Sequence, residues 1–202
     1  MPTVSVPPER LSRWLSNFEE RHGTADLSVV HGRLRGLAED GSTFEAEAPF
    51  GRTVRTPTVE SLEVLLAPPD QWGILLVRKG GFAVARLAGE AIVESKVGQR
   101  HVQGRTKAGG QSQQRFARRR DNQARAAYEA AADHAAGIVG TVPMLVTGGD
   151  RAAVSAVLED PRLHVPAGHV VGRFLTVPDP RRSVLESAIA AARSVWVEVS
   201  NA

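Results

Sequence analysis

Apolar residues recur along the first part of the chain at two different periods. Leu11, Trp14, Leu15 and Phe18 stand at i, i+3, i+4 and i+7 behind Pro7-Pro8-Glu9, a spacing that places all four on one face of a helix with proline in its opening turn. Their expected role is packing. Between residues 26 and 51 the period shortens: Leu27, Val29, Leu34, Leu37, Phe44 and Ala46, punctuated by Asp40-Gly41, predict strands and a hairpin. Pro57 and then Pro68-Pro69 bracket a short apolar element at 62–66. Residues 1–69 therefore read as a small N-terminal α+β extension or subdomain.

From Trp72 the pattern is more regular. Residues 72–77, the turn Lys79-Gly80-Gly81 and residues 82–87 predict a buried hairpin, and a third strand follows over 90–96. No Gly or Pro appears from Ser112 until Gly137, alanine is abundant, and Phe116, Ala124, Ala127, Tyr128 and Ala131 can share a face, so a long helix is expected. Then come a strand at 144–147, a helix opened by Gly148-Gly149-Asp150 and running through Leu158, a strand at 170–174, a helix at 183–192, and a last strand around Trp196-Val197-Glu198-Val199. Strands alternating with helices make an α/β layer fold. Three early antiparallel strands followed by strand-helix units are the order of an RNase H-like mixed sheet with flanking helices, assigned here to a domain spanning 70–202.

Charge changes the picture at one place. The chain carries a formal net charge of +3, yet residues 96–125 hold nine Lys or Arg against one acid, Asp121, leaving the remainder at −5. Basicity so localised points to a polyanion bound at one site, with nucleic acid the commonest candidate. Within this segment Gly109 and Gly110 lack Cβ atoms, so their backbone can approach a ligand closely and present Gln111 at a loop tip. The preceding stretch from Gly98 to Lys107 has no apolar period and reads as an exposed loop. Ser112 is a good N-cap, and Arg115 three residues later forms no capping box, which leaves helix N–H groups for an anion such as phosphate. Arg115, Arg118 and Arg119, with Asn122 and Arg125 roughly in line, make a strip of guanidinium forks suited to phosphate oxygens. A merely solvated basic helix is the plainer alternative.

Gly109-Gly110-Gln111-Ser112 followed by Arg115-Phe116-Ala117-Arg118 resembles the peptidyl-tRNA hydrolysis loop and helix of eukaryotic and archaeal class I release factors. The hairpin and strand before it, and the strand-helix order after it, resemble their middle domain over residues 70–200. The short chain is more closely similar to the Vms/ANKZF-like release factors and their actinobacterial relatives. This resemblance implies hydrolysis of peptidyl-tRNA on the ribosome, with the peptidyl-transferase centre completing the site. It implies Gly109, Gly110 and Gln111 as catalytic residues, and Arg105, Lys107, Ser112, Arg115, Arg118, Arg119 and Arg125 as contacts to RNA. Glutamine is neutral, but its amide donates and accepts, so it can orient water or the leaving 3′-hydroxyl while backbone N–H groups face developing negative charge.

Other chemistry finds little support. There is no cysteine, which removes thiolate catalysis, thiolate metal ligation and disulfides. The first strand of the expected sheet, 72–78, bears no acid for a two-metal nuclease, and Glu90 and Glu94 read as surface residues. Six histidines match no zinc spacing, so neither metal nor other cofactor is expected. No apolar run spans a membrane and no signal peptide opens the chain. The expectation is a cytoplasmic monomer whose partners are the large ribosomal subunit with its rRNA and peptidyl-tRNA. At this length decoding is not expected, and codon-independent rescue of stalled ribosomes fits better. The alternatives are cleavage near the tRNA 3′ end and a non-catalytic ribosome- or RNA-binding module.

Overall fold

The structure, a computed structural model, describes the backbone of residues 2–99 and 111–202 and the side chains of these except at 99 and 111–124. In chain order the strands are β1 (Thr3–Val6), β2 (Ala25–Val30), β3 (Arg33–Ala38), β4 (Thr43–Glu47), β5 (Trp72–Arg78), β6 (Gly81–Ala88), β7 (Ala91–Gln99), β8 (Leu145–Gly149) and β9 (Val195–Ser200). The helices are α1 (Leu11–His22), α2 (Val59–Glu63), α3 (Gln111–Val139), α4 (Arg151–Leu158), α5 (His164–Gly168) and α6 (Arg182–Arg193). Contacts divide the chain into two compact units, Met1–Pro68 with Ile189–Ala202, and Pro69–Ala188.

The first unit is an antiparallel sheet in the order β1-β9-β4-β3-β2. The predicted stripe of α1 supplies Leu11, Leu15 and Phe18, which are buried with Leu34, Phe44, Ala46, Val195 and Val197 from the strands. Phe44 pairs in register with Gly36, and a Cβ at Gly36 would stand 2.2 Å from the Phe44 ring. That close approach is why glycine stands between Leu34 and Ala38 on the buried face of β3. Trp14 and Phe18 meet the same ring edge-on at 5.6 and 5.0 Å. The element expected at 62–66 is the short helix α2, capped by Thr58, whose side chain accepts from the Ser61 N–H, and anchored by buried Leu62.

One assignment needs correction here. The final strand exists, but β9 lies between β1 and β4 in the first unit instead of closing the expected domain 70–202. Alternating Val195, Val197 and Val199 against Trp196 and Glu198 specifies a strand with one core face; it does not specify which sheet receives it.

In the second unit the sheet order is β7-β6-β5-β8, with β5, β6 and β7 antiparallel and β8 parallel to β5. This is the order of the expected RNase H-like sheet. β5 is buried on both faces, as its unbroken Ile74-Leu75-Leu76-Val77 requires. The strand expected at 170–174 is reduced to two isolated parallel bridges to β8, from Val170 to Leu145 and from Leu175 to Gly148. Gly172, at φ 73° in the left-handed region, breaks the extended run between them. β7 also runs further than expected, to Gln99, because β6 offers it partners down to Gly81.

Candidate functional site

α3 connects the antiparallel strands to the parallel one, and its second half is fixed by packing. Ala131, Ala132, Ala135, Ile138 and Val139 are buried in one cluster with Leu75, Val77, Phe82 and Val84 of the sheet and Val154 and Val157 of α4. Small residues on that face let the helix lie close to the strands. Gly73 serves the same end from below, since a Cβ there would meet Val139 at 2.7 Å. Arg162 adds a polar tie, donating to Asp133 of α3 at 2.7 Å and to both carboxylate oxygens of Asp160 at 2.9 and 2.7 Å.

Of the residues read as functional, Arg105, Lys107, Gly109 and Gly110 lie outside the described residues. Gln111, Ser112, Arg115, Arg118 and Arg119 fall on α3, whose backbone is described from Gln111 onward while their side chains are not. The helix thus opens at Gln111, and Ser112, expected as its N-cap, is its second residue. Helix ends commonly differ by a residue or two according to where the first turn is counted.

Arg125 is the expected RNA contact whose side chain is described, and it is exposed. With Tyr128, Glu129 and Ala132 of α3 it lines an open cleft of about 610 Å³, completed by Lys79 from the β5–β6 turn and by Ala156, Glu159 and Asp160 at the end of α4. Lys79 and Tyr128 were legible in the sequence only as a turn residue and a packing residue. Two cations and a phenol are brought together by a turn and a helix that lie far apart along the chain. The hydrogen bonds from the Arg162 side chain and then its backbone N–H hold the Asp160 carboxyl down at about 2, so this wall stays ionised. Burial raises the Tyr128 phenol above its ordinary value, and the Asp150 charge adds to the rise, so it remains a neutral donor.

The turn Gly148-Gly149-Asp150 has a structural task. Asp150 caps α4, its Oδ1 accepting from the N–H groups of Ala152 and Ala153 at 2.9 and 3.2 Å. Glu94 on β7 faces Arg86 of β6 at 3.4 Å. His164 is turned onto the Pro161 carbonyl at 3.0 Å. Among the described residues no group of three or more His, Asp or Glu is placed to hold a metal ion. No described helix is long and apolar enough to cross a membrane.

Residues 70–198 match the family described as the Actinobacteria/chloroflexi VLRF1 release factor. The chain belongs to this family. Its expected kinship with release factors is also seen in the peptide chain release factor subunit 1 of Thermococcus sibiricus, 27% identical over 139 residues, or 66% of this chain. The chain spans 30% of that relative's length. Among solved structures, an archaeal translation termination factor, aRF1, superposes with a TM-score of 0.36 at 13% identity, covering 94% of this chain and 63% of that one. Archaeoglobus fulgidus Pelota gives a TM-score of 0.29 at 12% identity, covering 83% and 49%. Scores this low carry no weight for fold or function. What the VLRF1 match adds is that its span takes in β5 to β8, α3 and the Gly-Gly-Gln segment together.

Proposed function

We propose that this VLRF1-family protein is a codon-independent peptidyl-tRNA hydrolase that works on the ribosome, releasing nascent peptides from stalled ribosomes or large subunits. The observation that carries the reading is Gln111, preceded by Gly109 and Gly110, at the opening of a basic helix within the family's span. Gln111 positions the hydrolytic water or the leaving 3′-hydroxyl through its amide, and the backbone N–H groups at 110 and 111 face the developing oxyanion. No ionisable catalyst is needed, because positioning alone lowers such barriers by several kcal/mol, and the rRNA around the ester completes the site. Arg105, Lys107, Ser112, Arg115, Arg118, Arg119 and Arg125 hold rRNA or the tRNA acceptor end through phosphates. The protein acts as a cytoplasmic monomer.

The test is single-turnover release of labelled peptide from ribosome-bound peptidyl-tRNA, wild type beside Gln111→Ala, with the tRNA 3′ end mapped. The expected result is release with an intact 3′ end, lost in the variant while ribosome affinity is kept. A shortened tRNA would make the protein a nuclease. Tight binding without release would make it a binding module.

A further inference from the structure

One ring touches both of the segments between which the Gly-Gly-Gln triplet is strung. Phe82, the second residue of β6, is 7% exposed and pairs in register with Gly98, the next-to-last residue of β7. A Cβ at Gly98 would meet Cε1, Cζ and Cδ1 of that ring at 2.3, 2.7 and 3.0 Å. The ring therefore fills the space that any other residue at 98 would claim. The same ring stacks on His134 of α3, with centroids 5.5 Å apart and planes 26° from parallel, and is buried in one cluster with Ala131, Ala135 and Ile138. β7 ends at Gln99 and α3 begins at Gln111, so the covalent path that bears the triplet leaves one neighbour of Phe82 and arrives on the helix that carries the other.

We infer that Phe82 is a positioning residue: its ring sets the angle of α3 against β7 and so fixes where Gln111 is carried. The inference rests on the role given to Gln111 above. Leverage makes the contact consequential. Gln111 lies 23 positions before His134 on one helix, about 35 Å at a rise of ~1.5 Å per residue, so a tilt of about 5° at the ring displaces Gln111 by about 3 Å. Catalysis by positioning tolerates far less, since a misplacement of about 1 Å can cost roughly a hundredfold in rate. An aliphatic side chain at 82 keeps the burial but can neither cover the Gly98 backbone nor stack on the imidazole. A side chain at 98 pushes the ring from the opposite side. Two unlike substitutions should thus produce the same displacement.

The chain contains no cysteine, so two spin labels can be placed without competition, at exposed Val170→Cys beside the sheet and at Gln114→Cys in the first turn of α3. Double electron–electron resonance then reads the helix angle as a distance. Phe82→Leu and Gly98→Ala should each shift or broaden that distance by about 3 Å or more. Ile74→Val is the control, a fully buried residue of β5 that is not in the cluster holding α3, and should leave the distribution unchanged. In peptide release, the first two variants should lower the saturated single-turnover rate at least about tenfold with the half-saturating ribosome concentration within about twofold, while the control lowers neither. Should Phe82→Leu fail to fold, Gly98→Ala retains the ring and carries the test. Superimposable distributions for the folded variants, or equal broadening in the control, would overturn the inference. A shifted distance in a protein whose wild type releases no peptide would uphold the lever and remove the hydrolase reading.

Discussion

Arg162 grips Asp160 three times, donating to its carboxylate from Nε, from Nη2 and from the backbone N–H at 2.9, 2.7 and 2.9 Å. These bonds hold the Asp160 carboxyl down from the usual 3.8 to about 2. Because the folded value is depressed, the stabilisation is fully present above pH ~3.8 and is lost as pH falls towards 2. Carboxyl carbon chemical shifts should show Asp160 titrating well below its exposed counterparts. Arg162→Ala should return it upward, and an unchanged titration in that variant would mean that the guanidinium is not the cause.

Gly36→Ala should destabilise the first unit without touching the release site. The added methyl meets the Phe44 ring at 2.2 Å, and that ring is itself locked by Trp14 and Phe18. Overpacking of this kind costs about 1–3 kcal/mol. Denaturant unfolding followed by tryptophan fluorescence, with Trp14 in contact with the strained ring, reads the loss. A midpoint equal to wild type would show that the ring has room to move.

Asp150→Ala separates structural from functional use of the Gly-Gly-Asp turn. Two N–H groups of α4 lose their acceptor, a loss worth about 1 kcal/mol. Asp150→Asn, which keeps an acceptor oxygen, should recover most of it. Peptide release at saturation should be unaffected by either change, and a selective fall in release would give the turn a role beyond capping.

How much of this was readable beforehand depended on whether a feature is local. The α1 stripe, the 72–87 hairpin and the long alanine-rich helix are legible from period alone, because each is written within one continuous stretch of chain. Which sheet takes β9 is not, since strand character is local and pairing is not. The segment at 170–174 has strand composition but joins β8 through isolated bridges, Val170 to Leu145 and the following Leu175 to Gly148, with Gly172 at positive φ interrupting the ladder between them. At the site, the arginines and the Gly-Gly-Gln triplet were conspicuous in sequence, whereas the approach of Lys79 to Arg125 and Tyr128, and of Phe82 to both Gly98 and His134, depends on packing between distant segments.

The basic strip makes a prediction of a different kind, because electrostatic contacts to phosphates declare themselves in salt. Each phosphate neutralised releases counterions and contributes roughly 0.7–0.9 to the slope of log affinity against log salt. Replacing Arg115, Arg118 and Arg119 together by glutamine keeps helix propensity high and removes three charges, so the slope should flatten by about 2–3 and ribosome binding should weaken most at low salt. Arg125→Gln, on the lip of the cleft, should flatten it by less than about 1. Release measured at saturating ribosomes should fall far less than binding does, since these side chains deliver the loop and Gln111 performs the positioning. Filter binding of the variants to large subunits over a salt series decides the matter: parallel lines for wild type and the triple variant would mean that the arginines are solvated surface, and that the RNA is held by other residues.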